Sequence, residues 1–245
     1  MTTRAPQAKN AAPLLRTENL AKVFGGVTAV DQLNLELAVG ELRCIIGPNG
    51  AGKSTLFGLL SGMQLPDRGL ILFKGEDITR LPPYKRVRKG ICQKFQTTRI
   101  YRDFTVAQNL LIADRARRDG GRGQLEWALR ALNLSSELEA RAGELPHSHQ
   151  QWLEICLALA TGPDLILLDE PTAGMTPDET ALTARFVIDL NRRGLTVLAV
   201  EHDMAFVRNV ASRVTVLHQG RILCDGTLPE IESNQDVRRI YLGEQ

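Results

Sequence analysis

The sequence of 245 residues predicts an α/β fold, in which a mostly parallel sheet carries helices on both faces. The first observation behind this prediction is a set of short apolar runs, 41–46, 165–168 and 196–200, each followed by a glycine or an acidic residue. Such runs are typical of strands that are buried on both sides. The second observation is that stretches with helical spacing separate the runs, and strands that alternate with helices pair in parallel.

The N-terminal region predicts a smaller antiparallel β subdomain. Apolar and polar residues alternate in 14–20 and in 33–37, and 27–30 is a third short strand between them. A pattern of strand and turn returns at 67–78. Residues 1–13 show no periodicity and predict a flexible tail.

The helices are predicted from spacing and from their end signals. Residues 54–61 have helical spacing and stop at Gly62, and a basic helix opens at the prolines of 81–83. The interval from about 97 to 160 consists mostly of helix formers and predicts an inserted α-helical subdomain. We therefore expect one domain over 14–245, with a core of about 14–96 and 161–245. The remaining predicted elements are strands at 91–95, 214–217 and 221–224, helices at 179–192 and 204–210, and a terminal helix.

Composition and charge exclude several classes of protein. With 43% hydrophobic and 24% charged residues the chain has the composition of a globular domain, and its net charge of +2 argues against a strongly basic nucleic-acid clamp. No apolar run approaches the roughly 18–20 residues that span a bilayer. Residues 1–13 lack the apolar core of a secretory signal. The cysteines at 44, 92, 156 and 224 stand singly, which excludes a zinc ribbon and favours buried thiols in a reducing compartment.

A glycine-rich loop, Gly47-Pro-Asn-Gly-Ala-Gly-Lys-Ser54, lies between a predicted strand and a predicted helix, which is the context of a phosphate-binding loop. Glycines let the backbone curl so that N–H groups point at phosphate oxygens, and the start of the helix adds its positive dipole end. Lys53 is expected to reach the β- and γ-phosphates, and Ser54 to bind Mg²⁺. The nucleotide-binding residues expected here are Gly47, Pro48, Asn49, Gly50, Ala51, Gly52, Lys53, Ser54 and Thr55.

An acidic pair, Asp169-Glu170, follows the second apolar run. A carboxylate at the end of a buried strand beside a phosphate loop holds Mg²⁺, so Asp169 is expected to be a metal ligand. The carboxylate directly after it is placed to polarise the attacking water, which is the role expected of Glu170. The alternative is a pair that only caps the next helix. His202 follows the third apolar run and is expected to contact the γ-phosphate, with a purely structural histidine as its alternative.

Two further assignments depend on weaker local signals. Gln96, after the short strand at 91–95, is expected to reach the metal ion and the attacking water. Phe24, 23 residues before Gly47, is expected to stack on adenine, with packing in the core as an equal alternative. The expected catalytic residues are thus Lys53, Gln96, Glu170 and His202, and the expected metal ligands are Ser54, Gln96 and Asp169.

Taken in order, these motifs resemble the nucleotide-binding subunit of an ABC transporter, from about residue 14 to the end of the chain. The family order is an aromatic residue, the phosphate loop, a glutamine loop, a helical subdomain with a signature sequence, an Asp-Glu strand end and a histidine. The resemblance implies a P-loop NTPase core, ATP and Mg²⁺ as cofactors, and ATP hydrolysis coupled to transport. The segments GELRCIIGPNGAGKST, QWLEI, AGMTP, VEHDM, VTVLHQG and YLGE are similar to ATPases of bacterial branched-chain amino acid and urea importers, and are closest to the urea branch.

One segment departs from the family pattern. The signature Leu-Ser-Gly-Gly-Gln, which grips the γ-phosphate bound by the other subunit, corresponds here to Leu145, Pro146, His147, Ser148 and His149. Pro146 has neither a hydroxyl nor an N–H donor, and Ser148 replaces a glycine, which is expected to close off a backbone with positive φ. His149 still offers a hydrogen bond, and the helix N-terminus still offers its dipole. A weakened half-site and a tolerated variant are both compatible with this segment.

The resemblance also implies partners. A second ATPase subunit is expected because each ATP lies between one subunit's phosphate loop and the other's signature, and a heterodimer is favoured over a homodimer. Two membrane permease subunits and a separate substrate-binding protein complete the expected assembly, which includes no nucleic acid. Tyr101 and Phe104, within 97–106, are candidates for the permease contact, with local core packing as the alternative. The expected location is peripheral, at the cytoplasmic face of the bacterial inner membrane.

The sequence therefore predicts an ATPase subunit that powers import of small polar or amino-acid-like solutes, namely urea, branched-chain amino acids or related amides. One alternative is an ATP-binding regulatory partner with weak hydrolysis in an asymmetric pair, which is motivated by Pro146–His149 alone. Another is a non-transport ABC ATPase that acts on nucleic acid or ribosomes. Such proteins usually carry two ATPase domains or a long coiled-coil insertion, and this sequence shows neither.

Overall fold

The structure is a computed structural model that describes residues 12–94, 99–115 and 121–242. Four strands in these ranges form an antiparallel sheet. They are β1 (Leu15–Phe24), β2 (Val27–Leu37), β4 (Arg68–Phe73) and β5 (Glu76–Asp77), and they lie in the order β2-β1-β4-β5. The predicted antiparallel β subdomain is therefore present. The sequence predicted two strands where β2 is one, because the alternation breaks near Gln32, whose φ of 47° lies at a shift in register with β1.

Six further strands form the second sheet. They are β3 (Leu42–Ile46), β6 (Ile91–Lys94), β7 (Leu165–Asp169), β8 (Thr196–Val200), β9 (Arg213–His218) and β10 (Arg221–Gly226). Their order is β10-β9-β3-β8-β7-β6, and all neighbours run parallel except the antiparallel edge pair β9 and β10. The predicted parallel strands are confirmed, and β3 lies inside the sheet as a buried strand does.

The helices of the described residues follow the predicted order. They are α1 (Lys53–Ser61), α2 (Pro83–Lys89), α3 (Val106–Asp114), α4 (Gly121–Ala131), α5 (His147–Ala160), α6 (Pro177–Arg192), α7 (Met204–Val210), α8 (Leu228–Ser233) and α9 (Gln235–Leu242). The predicted terminal helix is two helices, α8 and α9, which meet at Asn234, the C-cap of α8. None of the helices in the described ranges has both the length and the apolar character that a membrane crossing requires.

Successive residues of the parallel strands face two different cores. Ile45 and Leu167 belong to a cluster that includes the apolar side chains of α1 and of the antiparallel sheet. Cys44 and Ile166, one residue earlier in each strand, belong to a second cluster with side chains of α3 to α7. Because α1 packs in the cluster that joins the two sheets, the helix that follows the glycine-rich loop is anchored by both of them.

A buried guanidinium holds the C-terminal end of α1. Arg86, on α2, is fully buried, and its Nη1 donates hydrogen bonds to the carbonyl oxygens of Leu59 (2.5 Å) and Leu60 (2.9 Å). Nη2 and Nε donate to the carbonyl oxygens of Thr79 and Leu81, each at 2.9 Å. Burial lowers the pKa of Arg86 to about 10, so the side chain is a cation at neutral pH. A cation at this end of a helix is favoured by the helix dipole, and Arg86 thereby joins α1 to α2.

Replacement of this guanidinium is expected to destabilise the fold strongly. Arg86→Met leaves four buried carbonyl groups without their donor, and we expect it to lower the free energy of unfolding by about 3–5 kcal/mol. Urea unfolding followed by circular dichroism measures the change. Lys85→Met, an exposed neighbour on the same helix, is the matched control and is expected to leave the midpoint unchanged. An Arg86→Met protein with the wild-type midpoint would contradict this account.

Candidate nucleotide-binding site

The parallel strands bring the predicted site residues to one edge of the second sheet. The glycine-rich loop follows β3, Asp169 ends β7 with Glu170 directly after it, and His202 comes two residues after β8. Because β8 lies between β3 and β7 and the carboxyl ends of parallel strands share an edge, His202 lies between the loop and the acidic pair. Gln96 lies outside the described residues, so its role stays a prediction.

The glycine-rich loop is wedged between two other backbone segments. A Cβ on Gly52, whose φ is 102°, would lie 2.2 Å from the carbonyl oxygen of Ala29 on β2. A Cβ on Gly47 would lie 2.4 Å from the carbonyl oxygen of Leu217 on β9. In addition, the Gly220 N–H donates to the Ala51 carbonyl oxygen at 3.0 Å. Glycine is therefore required at 47 and 52 by close approach of backbone, and the loop conformation is fixed by its neighbours.

The start of α1 offers donors for an anion. The Leu56 N–H is bonded to the Gly52 carbonyl oxygen at 2.8 Å, so the N–H groups of the three residues before it have no carbonyl partner within the helix. The Lys53 ammonium donates to the carbonyl oxygens of Gly47 (2.6 Å) and Pro48 (3.0 Å), which places it over the loop. Burial lowers the pKa of Lys53, and the charges of Glu170 and Asp169 act against that lowering. A cation and free N–H groups at a helix N-terminus fit the phosphates of a nucleotide.

The acidic pair fits a divalent cation. Asp169 is buried, and burial together with the charge of Glu170 raises its pKa to about 6, although Lys94 and Lys53 act in the opposite direction. A buried carboxylate next to a second carboxylate is stabilised by a hard cation with oxygen ligands, so Asp169 fits the predicted role toward Mg²⁺.

Glu170 is held in an uncommon backbone conformation. Its φ is 46°, in the left-handed region that residues other than glycine rarely adopt, and such strain is concentrated at functional sites. Its N–H donates to the Val200 carbonyl oxygen at 2.9 Å, which ties the end of β7 to the end of β8. The Glu170 Oε1 lies 3.8 Å from the Nδ1 of His202, which is longer than a hydrogen bond. The two residues that were predicted to act on the γ-phosphate and the attacking water are therefore neighbours.

No role was predicted from the sequence for the buried carboxylate of Glu201. Glu201 is almost completely buried and accepts hydrogen bonds from the hydroxyl (2.7 Å) and N–H (3.1 Å) of Thr172 and from the N–H of His202 (3.1 Å). It thereby joins the loop after Glu170 to the turn that carries His202. Like Asp169, Glu201 is an acidic residue directly after an apolar run, and this pattern could have identified it. The functional role was instead assigned to the neighbouring His202.

The predicted aromatic residues are at the surface. Phe24 ends β1 with 45% of its surface exposed, and the Lys22 ammonium lies 5.2 Å from the centre of its ring. Tyr101 and Phe104 are 57% and 43% exposed and stack on each other with ring centres 5.4 Å apart. Core packing, the alternative for all three, is therefore excluded. Stacking on adenine and contact with a permease stay predictions.

The segment that replaces the signature forms the start of α5. Ser148 lies in the first turn with a helical backbone and not at a positive φ, because the helix already begins at His147. The Ser148 hydroxyl donates to Glu179 Oε1 at 2.5 Å, and the Nδ1 of His149 lies 2.8 Å from Glu137 Oε2. Pro146, at the N-cap, supplies no side-chain hydrogen bond.

This segment also contacts the loop that follows the acidic pair. The His147 Nε2 lies 3.3 Å from the carbonyl oxygen of Ala173, in the loop after the acidic pair. The imidazole of His149 stacks on Trp152 with ring centres 5.0 Å apart, and Leu145 is buried. The side chains of 147–149 thus each have a contact within the chain, and the first N–H groups of α5 are donors for a phosphate.

The raised pKa of Asp169 gives a pH-dependent metal site. Below pH 6 the neutral carboxylic acid predominates, which does not bind Mg²⁺, and above pH 6 the carboxylate predominates. We expect the Mg²⁺-dependent part of ADP affinity to fall by up to about tenfold for each pH unit below this pKa. Calorimetric titrations with ADP, with Mg²⁺ or with a chelator, at several pH values measure it. Asp169→Asn is expected to leave only the dependence that comes from the terminal phosphate of ADP, and a variant with the same profile as the wild type would contradict the role of Asp169.

Comparison with known proteins agrees with this geometry. The model of the family described as ABC transporter matches residues 30–173. The chain is 37% identical over 251 residues to the high-affinity branched-chain amino acid transport ATP-binding protein BraF of Pseudomonas aeruginosa, covering 95% of this chain and 98% of that protein. Identity and coverage are the same for LivG of Escherichia coli K12, a protein of the same description.

Solved structures agree as well. The ADP conformation of an ATP-binding cassette of an ABC transporter is 32% identical, with a TM-score of 0.85 over 96% of this chain and all of that one. Identity at this level over nearly the whole length, together with the same fold, shows the family directly. This chain belongs to the ABC transporter family, as one of its ATP-binding subunits.

Proposed function

We propose that this chain hydrolyses ATP to power a membrane importer for branched-chain amino acids or chemically related small polar solutes. The observation that carries the proposal is the meeting of the phosphate loop, the buried Asp169 and the Glu170–His202 pair at one sheet edge. The relatives described above support the solute class, since their names assign them to branched-chain amino acid transport. The resemblance to the urea branch stays a prediction from sequence motifs.

The reaction follows from the positions of the side chains. The N–H groups at the start of α1 and the Lys53 ammonium bind the β- and γ-phosphates, with the Phe24 ring against the adenine. Glu170 accepts a proton from a water that attacks the γ-phosphorus, while His202 orients the γ-phosphate and the carboxylate. The bond from the γ-phosphorus to the bridging oxygen breaks, which yields ADP and phosphate. Mg²⁺, when bound by Asp169 and Ser54 with Gln96, would offset the negative charge of the phosphates.

ABC ATPase cassettes work as dimers with membrane permeases, and we infer the same general assembly for this chain. The finer proposal is a second, different ATPase subunit, two permease subunits and a separate substrate-binding protein. Peripheral association with the cytoplasmic face of a bacterial inner membrane follows from that assembly. The division into a core of about 14–96 and 161–245 and a helical subdomain of about 97–160 is part of the same proposal. Phe104 and Tyr101, exposed and stacked on each other, are its candidates for the permease contact.

Uptake of labelled solutes tests the proposed function. Cells that lack this chain are complemented with the wild type or with Glu170→Gln, and uptake of labelled leucine and labelled urea is measured. We expect the wild type alone to restore leucine uptake. Restoration of urea uptake alone would place the chain in the urea branch, and restoration of neither would overturn the proposed import function.

A regulatory role is the second candidate, and the engaged side chains of the signature segment favour it. Because Ser148 and His149 contact carboxylates of their own chain, a partner's γ-phosphate meets mainly backbone N–H groups. Light scattering of the purified Glu170→Gln chain with Mg-ATP separates the two cases. A homodimer would show that the segment still grips ATP. A monomer that pairs only with a second ATPase chain would show an asymmetric pair.

A further inference from the structure

Lys94 is a fully buried lysine that the reaction described above does not use. It ends β6, an edge strand of the second sheet, and its Nζ donates to the carbonyl oxygens of Asp169 (3.2 Å) and Glu170 (3.4 Å). These two carbonyls belong to the acidic pair at the end of the neighbouring strand. The one ammonium group therefore binds the backbone on both sides of Glu170.

Burial of the charged ammonium group of Lys94 costs free energy. Burial lowers the pKa of Lys94, and the charges of Glu154, Asp169, Glu201 and Glu170 act against that lowering. Residues 91 and 92 of the same strand are apolar, and an ammonium group in such surroundings needs several partners to offset its desolvation. The surrounding carboxylates and the two carbonyl oxygens supply those partners. A methionine would fill similar space without this cost, so a function for the charge is indicated.

The contacts of Lys94 explain how Glu170 keeps its uncommon conformation. The carbonyl of Asp169 precedes the φ bond of Glu170, and the carbonyl of Glu170 follows its ψ bond. When both carbonyls are bound to one ammonium group, both torsions are restrained, and the left-handed φ of 46° is stabilised. On the opposite side, the Glu170 N–H is bound to Val200. The direction in which the Glu170 side chain leaves the backbone is thereby fixed.

We propose that Lys94 is a positioning residue for Glu170, whose backbone it holds in the left-handed conformation that directs the carboxylate toward the attacking water. The inference rests on the proposed function, because it requires Glu170 to act on that water. It predicts that loss of the ammonium group lowers the rate of hydrolysis without weakening the metal-free binding of nucleotide, since the Lys94 hydrogen bonds lie at the acidic pair and not at the phosphate loop.

The test compares Lys94→Met with wild type in the purified full chain. We expect kcat to fall at least tenfold, while the affinity for ADP measured with a chelator changes less than twofold. Lys94→Arg, which keeps a cation and its donors, is expected to recover part of the lost kcat. Lys89→Met, a lysine five residues earlier on α2, is the control and is expected to leave kcat unchanged. An unchanged kcat in Lys94→Met would overturn the inference, as would a loss of nucleotide affinity as large as the loss of kcat.

A double-mutant cycle separates positioning from a general structural role. If Lys94 acts through Glu170, Lys94→Met has no further effect on the single-turnover rate of a Glu170→Gln chain. An equal loss in both backgrounds would overturn the inference. The proposed function is tested by the wild type alone. A wild-type chain that hydrolyses ATP beside an equally active Lys94→Met chain would refute the role of Lys94 and leave the function standing.

Discussion

Glu170→Gln is expected to lower kcat for ATP hydrolysis by about a thousandfold while ATP still binds. The amide of glutamine has nearly the shape of the carboxylate but does not accept a proton from water, so the base is lost and the site is kept. Single-turnover hydrolysis of labelled ATP gives the rate, and equilibrium binding of a fluorescent ATP analogue gives the affinity. Asp178→Asn, an exposed carboxylate at the start of α6, is the control and is expected to turn over normally.

The same substitution has an electrostatic consequence for the metal site. The charge of Glu170 raises the pKa of Asp169, so its removal is expected to lower that pKa and to shift Mg²⁺ binding toward lower pH. The variant is therefore expected to hold Mg-ATP without turning it over. Normal turnover by Glu170→Gln would contradict the role of Glu170 as the base. His202, 3.8 Å away, would then be the next candidate for the base.

Lys53→Ala is expected to weaken ATP binding by about a hundredfold. The lysine is the one cation placed over the phosphate loop among the described residues, and a charge-assisted hydrogen bond to phosphate contributes about 1.5–3 kcal/mol. Two such bonds at the lower end of this range contribute about 3 kcal/mol, which corresponds to a loss of about a hundredfold. Calorimetric titration of the purified chain with Mg-ATP measures it.

A second lysine distinguishes a local effect from a general loss of positive charge. Lys74→Ala removes a surface lysine that is paired with Asp164, away from the loop, and is expected to leave ATP binding unchanged. Because Lys53 also binds two carbonyls of its own loop, unfolding of Lys53→Ala is measured in parallel. An affinity within threefold of wild type would refute the assignment of Lys53 to the phosphates.

Much of the fold was predictable because its central strands are short and mostly apolar. The runs at 165–168 and 196–200 are buried along their whole length, and only a parallel sheet covered on both faces buries strands in this way. The phosphate loop was predictable for a related reason, since close approach of neighbouring backbone leaves room only for glycine at 47 and 52. Both features are properties of local sequence.

The residues that escaped prediction depend on partners distant in the chain. Lys94 looks like any lysine at the end of a short strand, and its partners lie 75 and 76 residues away. Glu201 is similar, because its partner Thr172 lies beyond β7 in another loop.

The clamping of α1 at both ends has a consequence for the thermodynamics of binding. Its N-terminal loop is wedged by Ala29 and Leu217, and its C-terminal carbonyls are bound by Arg86. The loop therefore keeps its shape before the nucleotide arrives, and little conformational entropy is lost when it binds. We therefore expect any movement of the loop to carry α1 and the neighbouring strands with it, since the loop itself has little freedom to change its shape.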